Sequence, residues 1–174
     1  MAGFVRDWRV ELIETYPHLF RPPAGAFPEC GQGWQPLLDR CCARISAALR
    51  DGDRFRFTQV KEKFGTARLY WTGRLSDAAR PVVEEAIDLA EARSGTTCET
   101  CGEEGRLHDH GGWLITRCAL HAEGRPVESK PGFENLHLVH RLVDGRLRTI
   151  TCARYDRETD SFIDVPPSTL GIEE

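Results

Sequence analysis

The sequence lacks a basic excess. Its 174 residues include 27 Asp and Glu against 23 Lys and Arg, which gives a formal net charge of −4. Dedicated nucleic-acid-binding proteins usually carry a basic excess, because phosphate contacts dominate their affinity. We therefore expect any contact with nucleic acid to be confined to a local basic patch.

Long apolar runs are also missing. No stretch approaches the roughly 20 apolar residues that a membrane-spanning helix needs, and residues 1–7 lack the basic start and apolar core of a secretory signal. We therefore expect a cytoplasmic protein. Its seven cysteines are an odd number, which argues against a complete disulfide framework. In a reducing cytosol, clustered cysteines more often bind metal.

Common catalytic signatures are absent as well. The chain has no glycine-rich phosphate loop, no Gly-x-Ser-x-Gly nucleophile elbow and no carboxylate pair with a clear acid–base placement. We therefore predict that this chain is not an enzyme and has no catalytic residues.

The composition that is present, 40% hydrophobic and 29% charged, is that of an ordinary globular protein. Apolar residues at helical spacing predict three helices, at about residues 7–20, 33–50 and 76–93, with Asp7 as the cap of the first. Residues 21–28 are rich in proline and predict an irregular connector.

Two alternating segments, Arg54–Val60 and Ala67–Thr72, predict an antiparallel hairpin whose loop is Lys61–Gly65. We expect the helices to bury its large apolar face, because that face would otherwise form an exposed patch. This apolar face consists of Phe55, Phe57, Leu69 and Trp71.

The opposite face of the hairpin is basic. It carries Arg54, Arg56, Arg68 and Tyr70, with Lys61 and Lys63 at the loop. Interleaved arginine and aromatic side chains can hold phosphates and stack on bases. They also suit a protein interface, and a third interpretation is a solvated sheet face with no partner. We predict that these six residues bind a partner.

The spacing of Cys98, Cys101, Cys118 and His121 predicts a structural zinc site. Each Cys-x2-Cys or Cys-x2-His turn can aim two ligands at one ion, and Gly102 allows the first turn to reverse. Short strands at Arg106–Leu107 and Trp113–Thr116 would bring the pairs together. Four protein ligands leave no open position, which argues against a catalytic zinc. The spacing resembles that of treble-clef and zinc-ribbon knuckles.

The segment His108-Asp109-His110 resembles the hairpin of the His-metal-finger nucleases. Such enzymes need a second histidine on the following helix to hold a catalytic metal, but here His121 is assigned to zinc. We therefore interpret residues 108–112 as a solvated hairpin tip.

The C-terminal part of the chain is predicted to be rich in strands. Strands at Leu136–Val143, Leu147–Tyr155 and Ser161–Val165 would form an antiparallel meander, and Asp144–Gly145 is a strong turn signal between the first two. The predicted organisation is a zinc-stabilised domain at 1–124, a linker at 125–134 and a β extension at 135–174.

Two motifs follow one another along the chain. They are Val60-Lys61-Glu62-Lys63-Phe64-Gly65-Thr66-Ala67-Arg68-Leu69-Tyr70-Trp71 and the knuckle Cys98-x2-Cys101-Gly102 with Gly111-Gly112-Trp113 and Cys118-x2-His121. With these motifs in this order, the chain resembles a family of small proteins of bacteria and their phages, from about Trp8 to Ala122. No activity comes with the resemblance. It implies a mobile or prophage setting, in which small accessory proteins often bind and inhibit a host complex such as a CRISPR effector.

Together these patterns predict an α+β fold, with helices packed on a two-stranded hairpin, a treble-clef or zinc-ribbon-like knuckle and a C-terminal β meander. The expected function is a non-catalytic, zinc-stabilised binding protein, with a host protein or protein–nucleic-acid complex as partner. The alternative is a nucleic-acid-binding or His-metal-finger-like nuclease module. The sequence gives no indication of membrane binding or oligomeric state.

Overall fold

The structure is a computed structural model that describes residues 6–20, 26–143 and 146–171. The predicted Asp144–Gly145 turn and most of the predicted connector lie outside these residues. In the described part of the chain, three helices and antiparallel sheets of two, three and three strands form an α+β protein, as predicted. None of the helices there combines the length and the apolar character needed to cross a bilayer.

The chain divides into two compact units, Met1–Pro126 and Val127–Glu174. The elements of the first unit are α1 (Trp8–Thr15), α2 (Gln35–Ala48), β1 (Arg54–Lys63), β2 (Thr66–Arg74), α3 (Ala79–Ser94), β3 (Arg106–His110), β4 (Trp113–Arg117) and β5 (Arg125–Pro126). A single 3₁₀ turn, Gln32–Trp34, precedes α2.

Helix α1 begins at a side-chain cap and ends before a proline. The Asp7 carboxylate accepts a hydrogen bond from the Arg9 backbone N–H at 3.0 Å, which confirms the predicted cap. The helix is shorter than predicted because Pro17 disfavours helical backbone at Tyr16.

Strands β1 and β2 extend further than the sequence predicted. Only Phe64 and Gly65 form the turn, with φ of 56° and 80°, so Lys61 and Lys63 belong to β1 rather than to a loop. Two consecutive left-handed residues match the right-handed twist of the flanking strands. An irregularity between Phe57 and Gln59 shifts the register, so that Val60 takes the inward side after the shift.

The core of the first unit lies between this hairpin and the helices. Phe55, Phe57 and Leu69 are buried as predicted, whereas Trp71 is half-buried and stacks on Phe55 at 5.2 Å between ring centroids. The largest fully buried side chains are contributed by the helices, the hairpin and the segment after α1: Trp34, Phe57, Leu19, Leu38, Ile45, Val60 and Val83.

Both edges of the hairpin are covered. On the β1 edge, the Phe57 N–H donates to the Leu19 carbonyl, and the Glu29 N–H donates to the Val60 carbonyl. On the β2 edge, side chains of α3 accept from the backbone: Glu91 from the Leu69 N–H and Ser94 from the Ala67 N–H. These bonds satisfy backbone donors and one backbone acceptor that an edge strand would otherwise present to other chains.

The second unit contains one antiparallel sheet with the strand order β6-β7-β8. Its strands are β6 (Leu136–Val143), β7 (Arg146–Asp156) and β8 (Ser161–Asp164), followed by a 3₁₀ turn at Pro167–Leu170. Cys152, Ala153 and Tyr155 are buried, and the Tyr155 hydroxyl donates to Asp160 at 2.6 Å.

Candidate metal centre and basic hairpin face

The four residues predicted to bind metal lie together. One ligand atom from each of Cys98, Cys101, Cys118 and His121 lies within 4.8 Å of each of the others. All seven cysteines of the chain are free thiols, so no disulfide competes for these sulfurs. The structure therefore contains a candidate metal site that this spacing predicts.

The distances within the cluster fit a tetrahedron around one ion. Cys101 Sγ lies 3.6 Å from Cys118 Sγ, and His121 Nδ1 lies 3.3 Å from Cys118 Sγ and 3.7 Å from Cys98 Sγ. A tetrahedral site with metal–sulfur bonds of about 2.3 Å and a metal–nitrogen bond of about 2.0 Å has edges of roughly 3.5–3.8 Å. The ligand atoms therefore need only small shifts to share an ion through His121 Nδ1.

Two short turns and one hairpin bring the ligands together. In the first turn, the Gly102 N–H donates to the Cys98 carbonyl at 2.8 Å, and Gly102 has a φ of 84°, which a residue with a side chain rarely adopts. In the second, the His121 N–H donates to the Cys118 carbonyl at 3.1 Å. Strands β3 and β4 pair from Arg106–Arg117 to His110–Trp113 and return the chain to the first turn.

The thiol environments favour metal binding. Burial alone would raise the pKa of the Cys98 thiol, but hydrogen bonds from the backbone N–H groups of Cys118, Cys101 and Thr100 lower it to about 6. The pKa of Cys118 is also lowered, against the effect of burial, by its bonds with the His121 side chain and backbone. Since the thiolate is the form that binds metal, both shifts favour the state of these two thiols that can act as a ligand.

Cys101 differs from its two neighbours. A hydrogen bond from the Glu103 backbone lowers the pKa of this thiol, but burial and the nearby Cys98 and Cys118 sulfurs outweigh it and raise the pKa. A metal ion must therefore displace the Cys101 proton, because three adjacent thiolates repel one another without a cation between them.

The first ligand turn is fixed to the start of α2. The Gly33 N–H donates to the Glu99 carbonyl at 2.8 Å, the Gly31 N–H donates to the Glu99 carboxylate at 2.9 Å, and the Trp34 ring N–H donates to the Thr97 carbonyl at 2.9 Å. A methyl group on Gly33 would overlap the Cys98 carbonyl oxygen, so the two backbones meet directly. This contact was not predicted from the sequence, although the Gly-x-Gly-Trp segment at residues 31–34 is a signal of close backbone approach.

The β3–β4 hairpin also contacts the β1–β2 turn. The Thr116 hydroxyl donates to the Gly65 carbonyl at 2.6 Å, and both residues are buried. At the end of β4, the Arg117 guanidinium lies 3.0 Å from the Glu99 carboxylate of the first ligand turn. The candidate metal site thus joins three segments that are distant in sequence.

His108 and His110 lie in different environments. His110 is exposed, with its Nε2 3.7 Å from a Glu123 carboxylate oxygen. His108 is only 4% exposed, and its Nδ1 lies 2.9 Å from the Arg106 carbonyl. The interpretation of His108 as part of a solvated tip is therefore wrong, because β5 pairs with β3 beside it through Pro126. The tip itself is Gly111–Gly112.

Of the four remaining cysteines, three are buried and one is half-buried. Cys41, Cys42 and Cys152 are each at most 3% exposed, and Cys30 is half-buried. Burial raises the pKa of both Cys30 and Cys41 to about 12, so these thiols stay protonated at neutral pH. In such an environment a cysteine acts as a small apolar side chain.

The basic residues of the hairpin share one side of it. Residues directly opposite on paired strands point to the same side, and the pairs Arg54–Arg74, Arg56–Thr72, Gln59–Tyr70 and Lys61–Arg68 alternate with the buried pairs. We call the following set the basic face: Arg54, Arg56, Lys61, Lys63, Arg68, Tyr70 and Arg74. The structure thus places all six predicted residues on one side and adds Arg74.

The cations of the basic face lack acidic partners. In the parts of the chain that the structure describes, no carboxylate lies within 4.0 Å of their nitrogen atoms. One acidic residue, Glu29, is the backbone bridge partner of Lys61 across the β1 edge. Positive charge is therefore concentrated on this face of a chain with a net charge of −4.

Comparison with protein-family models, with curated proteins and with solved structures found no match to this chain.

Proposed function

We propose that this chain is a non-catalytic binding protein that is stabilised by one structural zinc ion and binds an acidic partner through its basic face. The observation that carries the proposal is the concentration of unpaired cations on one side of the β1–β2 hairpin. In an acidic protein such a patch would strongly orient a partner of opposite charge as it approaches.

The donor set supports zinc as the ion. Three sulfurs and one imidazole nitrogen are the ligands that tetrahedral structural zinc sites use, and four protein ligands leave no position for water or substrate. A turn rather than a helix follows Cys118 in the described residues, which favours a zinc-ribbon-like knuckle over a treble clef. The zinc would hold the knuckle against the start of α2.

The partner class follows from the resemblance described above. A prophage setting would supply a host protein or a protein–nucleic-acid complex, such as a CRISPR effector, within the cytoplasm. Either kind of complex can present acidic groups to the basic face. The β6–β8 sheet, as a meander-like extension, is the next candidate surface.

Charge reversal on the basic face tests the proposal. The double variant Arg56→Glu and Arg68→Glu should weaken partner binding at least tenfold, because two attractive contacts become repulsive. The dependence of affinity on salt should also flatten. The measurement is a pull-down from host lysate, followed by titration of the captured partner at several salt concentrations.

A matched control is Arg125→Glu with Arg157→Glu, which changes the net charge equally outside the basic face. Circular dichroism should show that both double variants are folded. If the folded basic-face variant bound its partner as tightly as the parent protein, the interface would have to lie elsewhere, and Leu136–Val165 would be tested next.

The nuclease alternative has its own test. If the chain is a binder, His108→Ala and His110→Ala should leave partner affinity within about twofold, with a stability loss only for the buried His108. The position of His121 in the metal cluster, which removes the second histidine that such a nuclease needs, supports this expectation. Magnesium- or manganese-dependent cleavage of DNA or RNA that disappears in these variants would establish the alternative.

A further inference from the structure

We propose that the acidic partner of the basic face is a single-stranded nucleic acid, alone or within a larger complex. This inference rests on the proposed function of the same face and specifies its ligand. Three features support it: exposed aromatic rings beside cations, a basic groove at the open end of the hairpin, and covered hairpin edges.

The first feature is a pair of exposed aromatic rings. Tyr70 is 46% exposed, and the Lys61 ammonium lies 5.7 Å from its ring centroid. Phe64 is 63% exposed, and the Lys63 ammonium lies 5.1 Å from its ring centroid. Each pair offers a flat ring for a base beside a cation for the adjoining phosphate, which is the combination that single-strand binding surfaces use.

The second feature is a groove of about 400 Å³ where the hairpin opens. Arg54, Arg56 and His18 line it together with Thr72, and Leu49 and Phe55 provide apolar surface. The Asp53 carboxylate in the same groove is held by the backbone N–H groups of Arg50 and Ser76. The arginines therefore remain available for a phosphate group, and the apolar surface suits a sugar.

The groove and the rings lie along one line. Thr72, Tyr70 and Arg68 follow one another on the outer side of β2, with two-residue steps of about 6.6 Å. Thr72 borders the groove, Tyr70 offers the first ring, and Arg68 lies across from Lys61. An extended single strand of nucleic acid that lies along β2 would therefore contact phosphate-binding and base-stacking side chains one after the other.

The third feature argues against duplex DNA. A two-stranded ribbon can enter the major groove only if it protrudes, since the groove is about 12 Å wide. Here residues 19 and 29 cover the β1 edge, Glu91 and Ser94 cover the β2 edge, and the turn at Gly65 is buried against Thr116. The hairpin therefore forms part of a broad surface, along which a flexible strand can lie.

The test is fluorescence anisotropy with labelled oligothymidylate and oligouridylate of about ten nucleotides, within the site sizes known for single-strand binders. Four cations, Arg54, Arg56, Lys61 and Arg68, should give a slope of log affinity against log salt near −3. Arg56→Gln with Arg68→Gln should reduce the magnitude of that slope by about 1.4, because two phosphate contacts are lost.

Tyr70→Ala separates stacking from charge. It should weaken binding about 5- to 100-fold, because one base loses its stacking partner, and it should leave the salt slope unchanged. Tyr70→Phe keeps the ring and should bind within about twofold of the parent protein. Glu29→Gln, which removes the acidic neighbour of Lys61, should strengthen binding.

A duplex of the same length and a heparin fragment serve as competitors, and both should compete poorly. Equal competition by heparin together with unchanged binding by Tyr70→Ala would overturn the single-strand inference and leave a general polyanion face. So would a lack of oligonucleotide binding in a protein whose partner capture is lost on charge reversal. Failure of the proposed function is a different result, namely unchanged partner capture in that charge-reversal variant.

Discussion

Replacing Cys98 with serine should release the metal and unfold the knuckle. The native protein should contain about one zinc ion per chain, and the variant should contain none after dialysis. Cys98 is fully buried, and backbone hydrogen bonds to its sulfur favour the thiolate. A serine hydroxyl can accept those hydrogen bonds but stays protonated at neutral pH, so the site loses one ligand. Structural zinc contributes about 10–16 kcal/mol to knuckle peptides at pH 7, more than the stability of many whole domains.

Elemental analysis and thermal unfolding with and without a chelator measure these effects. Cys118→Ser should behave like Cys98→Ser. The matched control is Cys152→Ser, which changes a buried cysteine of the second unit and should keep its full metal content. Folded native protein without any bound metal would contradict the zinc proposal.

Replacing Trp34 with alanine should destabilise the first unit by about 3–5 kcal/mol. The side chain is completely buried, and its ring N–H donates to the Thr97 carbonyl, one residue before the first metal ligand. We therefore expect two linked effects, which are a lower midpoint in urea and a faster transfer of metal to a competing chelator.

The variant Trp34→Phe separates packing from the hydrogen bond. It keeps most of the apolar volume but removes the donor to Thr97, which should cost about 1–3 kcal/mol. Stability should therefore fall in the order native, Trp34→Phe, Trp34→Ala. If metal release from folded Trp34→Ala protein matched the native rate, the knuckle would be energetically independent of the start of α2.

Local patterns accounted for much of the fold and the candidate metal site. The ligand set was predictable because Cys-x2-Cys and Cys-x2-His turns fix their geometry over four residues. The inward side of the hairpin was predictable because apolar residues alternate in Arg54–Val60 and Ala67–Thr72. The length of the hairpin was not, because the turn places Phe64 in a left-handed conformation that few residues other than glycine adopt.

Contacts between distant segments were harder to predict. Glu91 of α3 accepts a hydrogen bond from the Leu69 backbone N–H, which lies 22 positions earlier in the chain. His108 is buried because β5, a two-residue strand, pairs beside it. Gly31 and Gly33 meet the knuckle across more than 60 positions. The spacing of residues within one segment cannot predict such contacts, since each contact depends on two segments that meet only in the folded protein.

The junction between Gly33 and the first ligand turn has a consequence for the order of events during synthesis. The chain emerges from its N-terminus, so α2, the β1–β2 hairpin and α3 are all made before Cys118 and His121. The docking surface at Gly31–Trp34 can therefore form before the ligand set is complete. In the proposed metal-bound form, the ion then joins the first ligand turn to the second across the short β3–β4 hairpin, after the helices and the β1–β2 hairpin have been made. If the ion is zinc, as proposed, cells starved of zinc would accumulate chains whose helices and β1–β2 hairpin are packed but whose first ligand turn is not docked on Gly31–Trp34.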